Sequence, residues 1–113
     1  MAERLVDDLP GPLQVRIVRD GPRAVAELRG ELDASTSQQL RSELVSLLED
    51  GCRSLVIDMS ELALIDSTGL GALVGVLKRV LQHGGEMQLR APRQAARKVF
   101  VITGLDRVFT IVD

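Results

Sequence analysis

Aromatic residues are nearly missing from this chain: Phe100 and Phe109 are the only two, with no Trp or Tyr. Such a chain offers no stacking platform for bases or sugar rings. Cysteine is reduced to Cys52, which excludes an internal disulfide and any paired-cysteine metal site. That thiol reads as a partly buried group beside Arg53, without a functional role. No stretch approaches the roughly 20 apolar residues of a membrane span. Met1 to Asp8 carry three acids and no apolar run, which is not a secretory signal. The expectation is therefore a soluble, cytoplasmic protein without membrane insertion. A charge bias is missing too: 14 Lys and Arg stand against 16 Asp and Glu. The basic residues are scattered, so no electrostatic footprint for nucleic acid is present.

What is there suits one compact domain. The 113 residues are 45% apolar, enough to close one core between two layers and too few for a second domain. Residues 1–12 read as an N-terminal extension ending in the Pro10-Gly11-Pro12 breaker, and residues 13–113 as the domain.

Leu13, Val15 and Ile17 alternate with Gln14 and Arg16, the period of a half-buried strand. Asp20-Gly21-Pro22 turns the chain, and Arg23 to Arg29 alternates again, so the two strands form an antiparallel hairpin. From Asp33 the spacing becomes helical, with Leu40, Leu44, Leu47 and Leu48 on one side. Ser35 and Gln38 offer a capping box before them, and the helix ends near Gly51. Leu55-Val56-Ile57 is a short apolar run that suits a central strand covered on both faces. Ser67 opens a second helix with Leu70, Leu73, Val74, Leu77 and Leu81 as its apolar stripe, ended by Gly84-Gly85. Met87 to Ala91 is a further strand. Pro92 begins a third helix with Ala96, Val99 and Phe100, stopped at Thr103-Gly104, and Val108 to Val112 adds a last extended segment.

This order predicts an α/β domain with a mixed β-sheet of four to five strands and helices packed against it. Strands joined through a crossing helix run parallel. Asp33, the Asp66-Ser67 pair and Pro92 are thus expected along one sheet edge, where open α/β sheets keep functional residues.

The segment from Asp58 to Leu73 carries the chemistry. Ser67 stands at a helix start, where its oxygen can cap free amides and where an attached phosphate would meet the positive end of the helix dipole. An ordinary N-cap serine would do as much. The glycines argue for more: Gly69, Gly71 and Gly75 each cost a helix about 1 kcal/mol against Ala, so something compensates. Gly71 and Gly75 share one face, flanked by Ala72 and Lys78. Tight packing on the protein's own sheet and docking of a partner beside Ser67 both explain that bare surface.

Enzymatic readings fare worse. A hydrolytic triad needs a histidine, and His83 follows the second helix some 16 residues from Ser67, roughly 24 Å along the axis. The segment is not Gly-x-Ser-x-Gly either. Gly69-Leu70-Gly71 is a partial dinucleotide fingerprint, yet position 74 is Val74 and the end of a P-loop is lacking. A receiver-type acceptor at Asp58 with Mg²⁺ would want an adjacent acidic pair, for which Glu31 and Asp33 are only a loose substitute. No enzyme activity, cofactor or metal is expected.

Gly30-Glu31-Leu32-Asp33, Asp58-Met59-Ser60 and Ile65-Asp66-Ser67-Thr68-Gly69-Leu70-Gly71-Ala72-Leu73 together resemble the anti-sigma factor antagonists with a STAS domain. Thr103-Gly104-Leu105-Asp106-Arg107-Val108-Phe109 is similar to that family's ending. The resemblance covers roughly Leu13 to Val112, and Asp-Ser-Thr-Gly-Leu-Gly is its most specific part. It implies a partner-switching cycle, in which the unmodified antagonist binds an anti-sigma factor that is also a serine kinase and frees the sigma factor. Phosphorylation reverses this, and a serine phosphatase resets it. By position the phosphoacceptor falls on Ser67, with Asp33, Asp66, Thr68, Gly69, Gly71 and Gly75 as partner-binding residues. Thr68, often Ser in the family, is a conservative departure. The alternative implied by the same fold is an accessory subunit of a transporter, such as a lipid-transport complex, without a phosphorylation switch.

Overall fold

The computed structural model describes residues 11–113, so most of the expected N-terminal extension lies outside the described residues. Alternation drives the first hairpin. Strand β1 (Leu13–Asp20) pairs antiparallel with β2 (Arg23–Leu32) from Leu13↔Gly30 to Asp20↔Arg23, and Gly21 takes the left-handed conformation the tight turn needs. Helix α1 (Ser37–Glu49), strand β3 (Ser54–Ile65), helix α2 (Ser67–Gln82), strand β4 (Glu86–Arg90), helix α3 (Gln94–Thr103), a 3₁₀ turn (Leu105–Arg107) and strand β5 (Thr110–Val112) follow.

The five strands lie in the order β1-β2-β3-β4-β5, antiparallel at the hairpin and parallel elsewhere. Every crossover steps one strand in the same direction, and right-handed crossovers of that kind put their helices on one face. The sheet accordingly buries Val15, Ala26, Leu28, Ile57, Met59 and Leu89 beneath α1 and α2, whose Leu40, Leu44, Leu48, Leu73, Val76 and Val80 complete the core.

The opposite face carries no helix among the described residues, which corrects the expectation of a central strand covered on both sides. Val56 is only half-buried, and in register it lies between Val25 and Gln88. On that face it packs against a neighbouring valine, so an apolar run mimicked double burial. Strand β3 is also far longer than Leu55-Val56-Ile57. Its buried residues are Leu55, Ile57, Met59 and Leu62, because register shifts between Glu27 and Arg29 and between Gly30 and Glu31 insert extra residues on β3. Bulges of this kind break the period of two and hide a strand from a reading by alternation.

Helix α2 buries Leu70, Ala72, Leu73, Val76 and Val80, whereas Leu81 of the expected stripe is 60% exposed. Leu81 sits about 100° around the helix from Val80 and so leaves the core side. Helix α3 starts at Gln94 and not at Pro92. Arg93 precedes it in extended conformation and donates from Nε to the Ser60 carbonyl at 3.0 Å. Gly104, left-handed, ends the helix, and Phe100 meets Phe109 edge to face at 5.8 Å.

The turns at the opposite end from the carboxyl ends of β2 and β3 are sewn together by backbone bonds. Arg53 N–H donates to the Pro22 carbonyl at 2.7 Å, and Glu86 N–H to the Arg53 carbonyl at 2.8 Å. Gly85 is required there, since a Cβ would lie 2.5 Å from the Arg53 oxygen.

Ala91 is the one residue other than glycine at positive φ among those described, at 54°. Its N–H donates to the Val112 carbonyl at 2.8 Å, which holds this bend at the end of β4. A left-handed alanine costs about 1–2 kcal/mol, and glycine returns part of that to unfolded-chain entropy. Ala91→Gly is expected to stabilise the fold by about 0.5–1 kcal/mol, read as a higher urea midpoint at unchanged m-value.

Candidate functional site

The site grows from the ends of β2 and β3. Leu32 pairs with Ile65, and the Asp66 N–H donates to the Leu32 carbonyl at 3.2 Å. The chain therefore enters the Asp33 loop and helix α2 from adjacent points. Pro92 does not join them. Strand β4 ends where Arg90 pairs with Asp58, while β2 and β3 run on from Glu27 to Leu32 and from Asp58 to Ile65. That overhang is about 16 Å at 3.3 Å per residue, so the expected edge of three loops reduces to two.

Asp66, not Ser67, caps α2. Its carboxylate accepts from the Gly69 N–H at 2.9 Å, and its carbonyl accepts from Leu70 N–H at 2.9 Å. Ser67 is the first helical residue. It is exposed, as is Thr68, and neither hydroxyl makes a hydrogen bond among the described residues. The expectation that the serine oxygen caps the helix is thus corrected, because the aspartate before it already serves those amides.

Asp33 organises the other loop. Its Oδ1 accepts from Ser35 N–H at 2.9 Å and Ser35 Oγ at 2.7 Å, and its carbonyl accepts from Ser37 N–H at 2.9 Å. Thr36, buried, donates from Oγ1 to the Glu31 carbonyl at 2.8 Å and accepts from Asp33 N–H at 3.0 Å. The capping box expected from Ser35 and Gln38 does not form; the N-cap is Thr36, and the helix starts one residue later than that box would place it, at Ser37, under this Asp33-centred turn. The Ser35 hydroxyl, foremost, holds the Asp33 carboxyl below the ordinary aspartate value of 3.8.

The three glycines separate into different roles. A Cβ on Gly69 would stand 2.6 Å from the Leu32 carbonyl oxygen and 2.8 Å from Leu32 Cγ, so its bareness serves packing on β2. Gly69 is buried, so the fold itself accounts for its lack of a side chain. A Cβ on Gly71 would meet nothing within 4 Å, and internal packing gives no account of this glycine. Gly75 is half-buried, and the atoms nearest to a Cβ placed on it would be those of the Arg41 guanidinium, from 3.7 Å, an ordinary contact. Ala72, read as a flank of this surface, is fully buried on the other side of the helix.

Groups invoked in the enzymatic readings are engaged structurally. His83 ends α2, with Nδ1 2.8 Å from the Arg79 carbonyl. Asp58 pairs through Oδ2 with Arg90 at 2.8 Å and accepts from Ser60 N–H at 2.9 Å. Burial pushes the Asp58 carboxyl up, but the Arg90 and Ser60 bonds together bring it below 3.8. Sequence reasoning missed this pair, which only the β3–β4 register creates, and it missed the guanidinium of Arg41 beside α2.

The glycines give a stability contrast. Gly69→Ala is expected to destabilise by about 1–3 kcal/mol through overpacking on β2, and Gly71→Ala to stabilise by up to about 1 kcal/mol through helix propensity; paired thermal melts measure both. Acid supplies a second test. Asp33 and Asp58 bind protons less readily in the folded chain, so their stabilisation is complete above pH 3.8 and drains as pH falls through the lower folded values. Asp33→Asn is expected to lower stability at neutral pH and flatten the acid limb of a stability profile.

The STAS domain family model matches residues 14–113. A Bacillus subtilis (strain 168) protein named anti-sigma-B factor antagonist is 37% identical over 84 residues, spanning 74% of this chain and 76% of that protein. The crystal structure of an anti-sigma factor antagonist from Mycobacterium paratuberculosis is similar at a TM-score of 0.80 and 25% identity, over 92% of this chain and 90% of that one. A sulfate transporter family protein from Wolinella succinogenes shares the fold at a TM-score of 0.73 and 17% identity, over 85% and 80% of the two chains. With a family model over nearly its whole length and a relative of this identity, the chain belongs to the STAS domain family.

Proposed function

We propose that this chain is an anti-sigma factor antagonist, switched by phosphorylation of Ser67. Unmodified, it binds an anti-sigma factor that is also a serine kinase, and the sigma factor held by that kinase is released for transcription. The kinase transfers the terminal phosphoryl group of ATP to the Ser67 oxygen, which gives up its proton, and the complex parts. A serine phosphatase restores the binding form. The chain acts in the cytoplasm as a binding protein without catalysis of its own.

The state of the Ser67 hydroxyl carries this reading: exposed at the first position of α2, with the helix capped by the aspartate before it. A serine engaged as the cap would have to be withdrawn from the helix before a kinase could reach it, at about 1 kcal/mol. Here that cost is absent. Thr68 beside it is exposed too, the Asp33 loop leaves the sheet at the neighbouring strand end, and Gly71 leaves helix backbone open one turn further on. A phosphoserine adds about −1.5 to −2 charges next to Asp66. A partner docked over both would have to desolvate them together, and each ~1.4 kcal/mol of that cost lowers affinity tenfold. The relative named anti-sigma-B factor antagonist favours this circuit over a transporter accessory role, since the likeness to the Wolinella succinogenes protein is one of fold alone.

An anti-sigma factor of the serine-kinase type from the same genome, supplied with Mg-ATP, tests the proposal. Phosphate is expected on Ser67 by mass spectrometry, and none on Ser67→Ala, which binds permanently. Ser67→Glu and Gly71→Leu are expected to lose affinity by about tenfold or more, the first at unchanged melting temperature and the second with no fall in it. Phosphate on Ser35, Ser60 or Thr68 with Ser67 unmodified would refute the assignment.

A further inference from the structure

Helices α1 and α2 run side by side in the same direction, since Arg41 lies at Gly75 and Glu49 reaches Arg79 at 4.0 Å. Their exposed seam continues from the Asp33 loop and Ser67 through Gly71 to Gly75. Arg41 occupies it in an unusual way. Its Nη2, Cζ and Nε atoms stand 3.7, 3.8 and 3.9 Å from where a Cβ on Gly75 would be, so the guanidinium plane lies flat over that glycine. Arg41 is exposed and makes no hydrogen bond or ion pair among the described residues. Its helix neighbours three and four positions away are Ser37, Gln38, Leu44 and Val45, none acidic. Lys78, one turn beyond Gly75, is also exposed and unpaired among the described residues.

The acids bordering the seam are committed elsewhere. Asp33 and Asp66 hold their own loop amides, and Glu49 faces Arg79. The seam therefore presents a cation with all its N–H donors unused, above helix backbone from which it is separated by about the space of one methyl group. A guanidinium carries a planar fork of N–H donors that matches a carboxylate in a bidentate pair.

We propose that Arg41 fixes where the partner seats: it receives a carboxylate of the anti-sigma factor kinase beside Gly75, about 12 Å along the α2 axis from Ser67, eight helical residues at 1.5 Å each. Arg41 is a positioning residue of the docking surface and takes no part in phosphoryl transfer. Gly75 leaves the space beneath it open: a Cβ there would meet the guanidinium at ordinary contact distance, and only a side chain larger than Ala would displace it. The inference rests on the phosphorylation reading of Ser67 and adds to it the site that sets register and partner choice.

The experiment uses the same kinase with the full chain. Arg41→Glu is expected to raise the KM for Ser67 phosphorylation about tenfold or more while kcat changes less than about twofold, with the melting temperature unchanged. Arg41→Lys is expected to recover only part of the affinity, since an ammonium lacks the fork. Exchange of the facing Asp or Glu of the kinase for Arg should restore binding to Arg41→Glu and to no other variant. Unchanged KM in Arg41→Glu, or full activity in Arg41→Lys with no rescuing exchange among the kinase's surface acids, would overturn the inference while Ser67 phosphorylation stood. Loss of phosphorylation at Ser67 in the wild-type chain would instead remove the functional reading on which it rests.

Discussion

The parallel pairing of β2 with β3, carried out to Leu32 and Ile65, is the constraint on which the site depends. It delivers Asp33 and Asp66 to neighbouring positions and binds the Asp66 amide to the Leu32 carbonyl. Gly69 then presses against that same carbonyl at a distance no side chain would allow. One backbone oxygen thus fixes both the start of α2 and its first turn. The Asp33 turn completes the arrangement from the β2 side, through bonds made almost wholly within residues 31–37.

Division of labour between adjacent residues follows from this geometry. Asp66 satisfies the helix amides and is half-buried, whereas Ser67 contributes nothing to stability through its oxygen and is exposed. Helix amides at an N-terminus favour negative charge, and the aspartate already supplies one. The extra charge of a phosphoserine would therefore fall on the surface beside an existing anion, with its effect felt by whatever docks there and little by the fold beneath.

Much of this was legible in the sequence. The hairpin, three helices and their order show in the change from a period of two to one near 3.6. The Asp66-Ser67-Thr68-Gly69 segment shows in its glycines and its position after a strand. What stayed hidden has physical causes. Two bulges shift the buried positions of β3 and conceal its second half. An asparagine-like turn at Asp33 replaces the capping box because its carboxylate and Thr36 serve the loop first. Gly69, Gly71 and Gly75 look alike in a sequence, and only the neighbours of their Cα atoms tell packing from open surface. Arg41 could not be found by motif, since its meaning lies in α1 meeting α2.

The molecule has two unlike poles. At one, strand ends overhang and leave a hydroxyl and a strip of helix bare; at the other, Pro22, Arg53 and Glu86 join three connections by main-chain bonds. The sewn pole is a natural handle. A dye, surface tether or fused domain placed there leaves the opposite end free to meet its visitors.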